Sequence, residues 1–136
     1  MATQYSVAHR TAAMNTLITD IGVNAVIKIF SGAAPANCGT ADTGTLLAQF
    51  AGNATQFGTA SAGVLTASAV ASTTGAAAGT AGYFRIYPNA ATTTNAVTQG
   101  TVTATGGGGD MILTNTNIAS GQTVNFTSLT VTAFGV

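Results

Sequence analysis

The chain has 136 residues and a formal net charge of +0, and only 4% of it is charged, where an average soluble domain carries roughly 25%. The whole charged set is Arg10, Lys28, Arg85, Asp20, Asp42 and Asp110. Three isolated cations cannot replace the counterions of a phosphate backbone, which excludes a nucleic-acid partner, and so little charge leaves copies of the chain without the repulsion that keeps soluble monomers apart.

One helix is predicted, over about 6–21. Val7, Met14, Leu17, Ile18 and Ile21 share a face at helical spacing. Ser6 is placed to cap the first turn and Gly22 to end the last. Beyond Gly22 the apolar period falls to about 2. Ala25 to Phe30 reads as a strand, broken by Ser31-Gly32-Ala33-Ala34-Pro35. A polar loop follows over Ala36 to Gly44, then a strand over Thr45 to Phe50, with a continuation over Asn53 to Phe57 left open.

Gly63 to Ala67 begins a third β segment, and Ala76 to Gly82 is too rich in small residues to assign. Tyr83 to Tyr87 is the clearest strand, with Tyr83, Arg85 and Tyr87 on one face and Phe84 and Ile86 on the other. Val97 to Ala104 alternates Thr, Val and small residues, and Gly106 to Gly109 reads as a hairpin turn. Met111 to Leu113 is short. Thr123 to Phe134 is a long last strand whose apolar phase switches near Thr127-Ser128, the mark of a bulge or bend.

Seven or eight short strands at spacings near ten residues, after one helix, indicate an all-β fold. The expectation is an antiparallel, jelly-roll-like β-sandwich as one domain over 1–136, with a short N-terminal helix and the sandwich from about residue 24.

No window of about 18 residues is continuously apolar, so no membrane partner is expected. The first ten residues lack a basic stretch leading into an apolar one, so no secretory signal is expected either. The lone Cys38 allows no internal disulfide. His9 and Cys38 are the only imidazole and thiol, with no local catalytic signature. The three aspartates lie far apart, too sparse for a carboxylate pair or a metal site. The glycine run lacks the G-K-[ST] ending of a phosphate loop. No catalytic residue, metal or cofactor is expected. The face of Tyr83, Arg85 and Tyr87 reads first as core or sheet face, then as a partner-binding patch together with Tyr5, and last as a sugar-stacking platform.

The order of segments has a further meaning. The helix, Val26-Ile27-Lys28-Ile29-Phe30, Leu46-Leu47-Ala48-Gln49-Phe50, Gly82-Tyr83-Phe84-Arg85-Ile86, Gly108-Gly109-Asp110-Met111-Ile112-Leu113, Ile118 to Val124 and Leu129-Thr130-Val131-Thr132 run in sequence. This order resembles the small structural proteins of tailed bacteriophages, some of which act as capsid cement or decoration proteins. The resemblance covers nearly the whole chain and rests on structural punctuation. It implies a jelly-roll-like fold, a place on the outer surface of the virion's capsid, and binding to the major capsid protein. It also implies self-association, for which a dimer is favoured over a trimer. A tail or baseplate component and a carbohydrate-binding module are the alternatives.

Overall fold

A computed structural model describes residues 3–52, 56–68 and 70–134. The helix α1 spans Val7–Ile21. The Ser6 side chain accepts a hydrogen bond from the His9 amide at 3.2 Å, and Gly22, at φ 71°, donates its N–H to the Ile18 carbonyl. Both caps are the local signals read above. They are strong because they satisfy helix-end groups that no distant contact supplies. The strands are β1 (Val26–Ser31), β2 (Leu46–Ala51), β3 (Val64–Thr66), β4 (Thr73–Thr74), β5 (Gly79–Tyr87), β6 (Thr98–Ala104), β7 (Met111–Leu113), β8 (Asn117–Ile118), β9 (Thr123–Val124) and β10 (Phe126–Thr132). The continuation considered over 53–57 falls largely outside the described residues.

The fold is mostly β with one helix. Its main sheet runs β2-β1-β5-β6-β7-β10-β3, with β8 pairing the start of β5, while β4 and β9 form a separate pair. The sheet is mixed, which corrects the antiparallel expectation: β6 and β7 run parallel, Val102 beside Met111 and Ala104 beside Leu113. The glycine run is therefore no hairpin. Parallel neighbours normally need a crossover of a dozen or more residues, and here the return is far shorter. The chain doubles back over Thr103. A side chain on Gly107 would lie 2.6 Å from the Thr103 Cβ, and one on Gly109 would lie 2.9 Å from its Cγ2. Only glycine lets the backbone pass that close. The Thr103 hydroxyl accepts from the Gly109 amide at 2.9 Å, and the Asp110 carboxylate accepts from the Thr101 amide at 3.0 Å. These bonds restart the strand in its original direction.

The long last strand is divided. Thr123 and Val124 pair with β4, and Phe126 onward pairs with β7 and β3. The register slips between Phe126 and Ser128, beside the predicted change of phase.

One core holds the sheet. Ile27, Ile29, Leu47, Phe50, Leu65, Phe84, Ile86, Met111, Leu113 and Leu129 pack together, joined by Met14 and Ile21 from α1. Each such side chain contributes roughly 1.5–3 kcal/mol by leaving water. The helix is fixed to the segment ahead of β3 by two polar contacts, Ala60 N–H to Asn15 Oδ1 and Gly63 N–H to Thr11 Oγ1, each 3.0 Å. The outer edges of the sheet, β2 and β3, are partly covered. Ala76 donates to the β2 carbonyl of Leu47, and Ser61 bridges to Val64 of β3. Among the described residues, no helix is long and apolar enough to cross a membrane.

Candidate functional site

The face of β5 turned away from the main core carries a second, polar interior. Strand alternation places Tyr83, Arg85 and Tyr87 there, and all three have 0% exposure. The residues between β1 and β2, and those between β5 and β6, fold over them. Arg85 is the centre. Its Nε and Nη2 both donate to Gln99 Oε1, at 3.0 and 2.9 Å. Nη1 donates to the Thr40 carbonyl at 2.8 Å and to Asp42 Oδ1 at 2.9 Å. Nη2 also reaches the Asn37 carbonyl at 2.9 Å. A guanidinium has five N–H donors, and these acceptors use all of them. Gln99 is held in turn by its own donation to the Pro35 carbonyl at 2.8 Å.

The neighbours extend the network. The Tyr87 hydroxyl donates to Asp42 Oδ1 and accepts from Arg85. Tyr83 donates to the Thr43 carbonyl at 2.6 Å and accepts from the Thr43 amide at 3.0 Å. Lys28 lies directly opposite Arg85 in the β1–β5 register, a like-charge pairing that is unfavourable by itself. It is relieved because Lys28 has acceptors of its own. Its Nζ donates to the Thr92 carbonyl at 2.8 Å and lies 4.7 Å from the centre of the Tyr87 ring.

Burial works against the Arg85 charge, but its hydrogen bonds to Asp42 and Tyr87, with the charges of those groups, outweigh it and hold its pKa above the ordinary arginine value. Burial, reinforced by the bond to Asp42, pushes the Tyr87 hydroxyl up to about 12. An unfolded tyrosine titrates near 10. Between those values the unfolded chain has lost a proton that the fold retains. Stability is therefore full below about pH 10 and falls as pH rises toward about 12. The expected loss is about 2 kcal/mol in denaturant unfolding across that window, and Tyr87→Phe should flatten the decline by that amount. An equal decline in the Tyr87→Phe variant would refute the assignment.

Such a site holds structure. Every donor of Arg85 is engaged, so no substrate anion has a partner there. Tyr83, Arg85 and Tyr87 therefore form a sheet face, the first of the readings given above, with two loops of the chain itself lying over it. Tyr5 is 40% exposed, stacked on His9 and edge-on to Phe134, with ring centroids 5.2 Å apart in both pairs. His9 is exposed on α1, whereas Cys38 packs beside the cluster of Val26, Tyr87 and Ala96. Among the described residues no group of three or more His, Cys, Asp or Glu could hold a metal ion. Two shallow cavities, of about 200 and 120 Å³, open at Thr114–Asn125 and beside Asp110, smaller than the roughly 300–1,000 Å³ of ligand sites.

Sequence reasoning did not single out Lys28, Gln99 or Gln56. A signal for Lys28 did exist: it interrupts an apolar strand core, as Arg85 does. Gln56 is 1% exposed, and among the described residues neither atom of its amide has a hydrogen-bond partner. Leaving such a group unpaired costs about 1–3 kcal/mol. Gln56→Met, close in shape, is expected to raise stability by about 1 kcal/mol or more. A fall in the thermal midpoint would show that the amide is satisfied in solution.

Comparison of the chain with family models, with curated proteins and with solved structures finds no match.

Proposed function

We propose that this chain is a structural, non-enzymatic virion protein. It binds the assembled capsid lattice of a tailed phage on its outer surface and stabilises it as a cement or decoration protein. One observation carries the reading. Four of the six charges are drawn inward or tied down: Lys28 and Arg85 are buried, Asp42 is paired with Arg85, and Asp110 is bonded to Thr101. What faces outward is mainly hydroxyl, amide and apolar surface, including the exposed Tyr5, Val7, Val23 and Phe134. A freely diffusing protein ordinarily relies on surface charge for solubility. A subunit that ends its life packed against a shell does not.

The jelly-roll-like arrangement belongs to the same proposal. A curled sheet with partly covered outer edges favours contact through faces, loops and the helix over strand addition at those edges, which suits docking on a preformed lattice. The mechanism is linkage. The protein binds the assembled lattice of the major capsid protein more tightly than free subunits, and so shifts the balance toward the intact shell. Many symmetric copies multiply a modest contact energy. A sugar-binding role loses its support, because Tyr83 and Tyr87 are covered.

The test is co-sedimentation of purified protein with shells stripped of it, followed by heating the shells with and without it. Saturable binding and a higher breaking temperature are the expected result. Recovery in purified tails with no affinity for heads would replace the location by a tail or baseplate one.

A further inference from the structure

The main sheet has a gap in its middle. β7 is three residues long and lies between two strands of seven. It pairs with β6 only through Val102, Thr103 and Ala104, and with β10 only between Phe126 and Leu129. The rest of each neighbour, residues 98–101 of β6 and 130–132 of β10, is paired on its far side, with β5 and β3 respectively. On the near side no strand lies between them among the described residues. Asp110 fills the first place of the gap. Its carbonyl accepts from the Thr130 amide at 2.9 Å, and its carboxylate accepts from the Thr101 amide. The chain goes no further that way, because the Gly109 amide is tied back to Thr103. In an antiparallel ladder, successive residues turn their N–H and C=O groups to opposite sides. The Thr101 amide points into the gap, so the backbone groups of Gln99, two residues earlier, point there too. On β10 the Ala133 amide bonds to the Gly63 carbonyl on the β3 side, and Thr130 points the other way. Thr132 therefore faces the gap as well. Two strand edges confront each other across roughly 10 Å, twice the ordinary strand spacing. The cavity of about 120 Å³ beside Asp110 is this gap, with Phe84 and Val131 on its core side.

We propose that the gap is a docking slot for an extended segment of a partner protein, which enters as a short strand in line with β7. An extended backbone carries donors and acceptors along both of its edges and so answers Gln99 and Thr132 together. A helix, whose backbone groups bond internally, cannot. Strand alternation then sets the side chains of the segment. One turns inward onto Phe84 and is apolar. The next turns outward beside Asp110, which is exposed and in no ion pair among the described residues, and is Lys or Arg. The slot lies inside the sheet, away from its partly covered outer edges.

The inference stands on the sheet and is independent of capsid binding: a chain that takes up the segment but ignores shells keeps this proposal and loses the previous one. Amide NMR on the full chain tests it, with the peptide acetyl-Thr-Val-Lys-Val-Thr-amide as probe. In the free protein the Gln99 and Thr132 amides should exchange with solvent faster than that of Thr130, which is bonded to Asp110. At roughly millimolar peptide their signals should shift saturably and their exchange should slow. The same peptide with N-methylated valines keeps its side chains but lacks the strand donors, and should not bind. Thr132→Pro removes an N–H that faces the slot and leaves the β3 ladder intact. It should weaken binding roughly tenfold while the thermal midpoint stays within about 2 °C of wild type. Asp110→Asn keeps an acceptor for Thr101 and should weaken binding about two- to fivefold, the effect of an exposed charge pair. Gln99 and Thr132 amides already protected in the free protein would overturn the proposal. So would an absence of saturable shifts at these residues, or equal binding of the N-methylated peptide.

Discussion

Replacing Arg85 by methionine is expected to lower the unfolding free energy by about 3–5 kcal/mol. Methionine nearly matches the length of the arginine stem and can fill its apolar part, so little of the loss comes from packing. The loss comes from what remains behind. Gln99 Oε1 and the carbonyls of Asn37 and Thr40 lose their donors, and Asp42 is left beside Tyr87 without its counter-ion. Apart from Gln99 on β6, the acceptors come from the loop between β1 and β2. Backbone bonds from Asp42 N–H to Thr93 O and from Ala96 N–H to Cys38 O would still tie the two loops to each other, and Tyr83 and Gln99 would still hold Thr43 and Pro35, but the 37–40 stretch would lose its tie to β5.

Arg85→Lys should recover only part of the loss, because a single ammonium cannot span acceptors on both sides of the guanidinium plane. The double variant Arg85→Met with Asp42→Asn should be less damaged than the sum of the two single changes, since removing the second charge removes the unpaired one. Urea unfolding of the four proteins measures all of this. A loss under about 1 kcal/mol for Arg85→Met would mean that the loops are held by their backbone bonds alone. Native domains have only about 5–15 kcal/mol in total, so the expected loss would leave the chain near its folding threshold.

How much of this was legible in the residues divides along local and non-local lines. The helix and its ends were legible because Ser6 and Gly22 act on their own neighbours. Most strand positions were legible from alternation and β-branched content. Four things were not. The start of β5 at Gly79 pairs with β8, and small residues there hide a strand that only a distant partner reveals. The parallel pairing of β6 with β7 depends on how closely Gly107 and Gly109 pass Thr103, a contact that composition cannot announce. The division of the last strand between two sheets shows only as a phase change near Thr127. What covers Tyr83, Arg85 and Tyr87 was the least legible, although a sheet face was the first reading. An aromatic and cationic face looks the same in sequence whether it waits for a partner or is covered by the chain's own loops, and here the acceptors that decide the matter are mostly backbone carbonyls of Asn37, Thr40 and Thr43.

Gly82→Ala should be the most damaging single-methyl change in the sheet, with an expected loss of about 3 kcal/mol. In the β1–β5 register Phe30 faces Tyr83 and Ser31 faces Ala81, so residue 82 is the extra one of a bulge. There the backbone leaving β1 runs against β5. A methyl on residue 82 would lie 1.9 Å from the Gly32 carbonyl oxygen and 2.9 Å from its carbon. Those atoms are backbone and cannot rotate aside as a side chain could. To make room, the exit of β1 must move, and with it two bonds that anchor the following loop: Ser31 N–H to the Thr45 carbonyl, 3.0 Å, and Thr45 N–H to Ser31 Oγ, 2.9 Å. The next residue, Tyr83, reaches Thr43 of the same loop, so the displacement runs directly into the polar interior around Arg85. The comparison is Gly58→Ala, where an added methyl meets nothing within 4 Å and the effect should stay within about 0.5 kcal/mol. Denaturant midpoints of the two variants decide it. Equal midpoints would mean that β1 can yield at the bulge without disturbing the loop above it, and the polar interior would then be more loosely coupled to the sheet than its hydrogen bonds indicate.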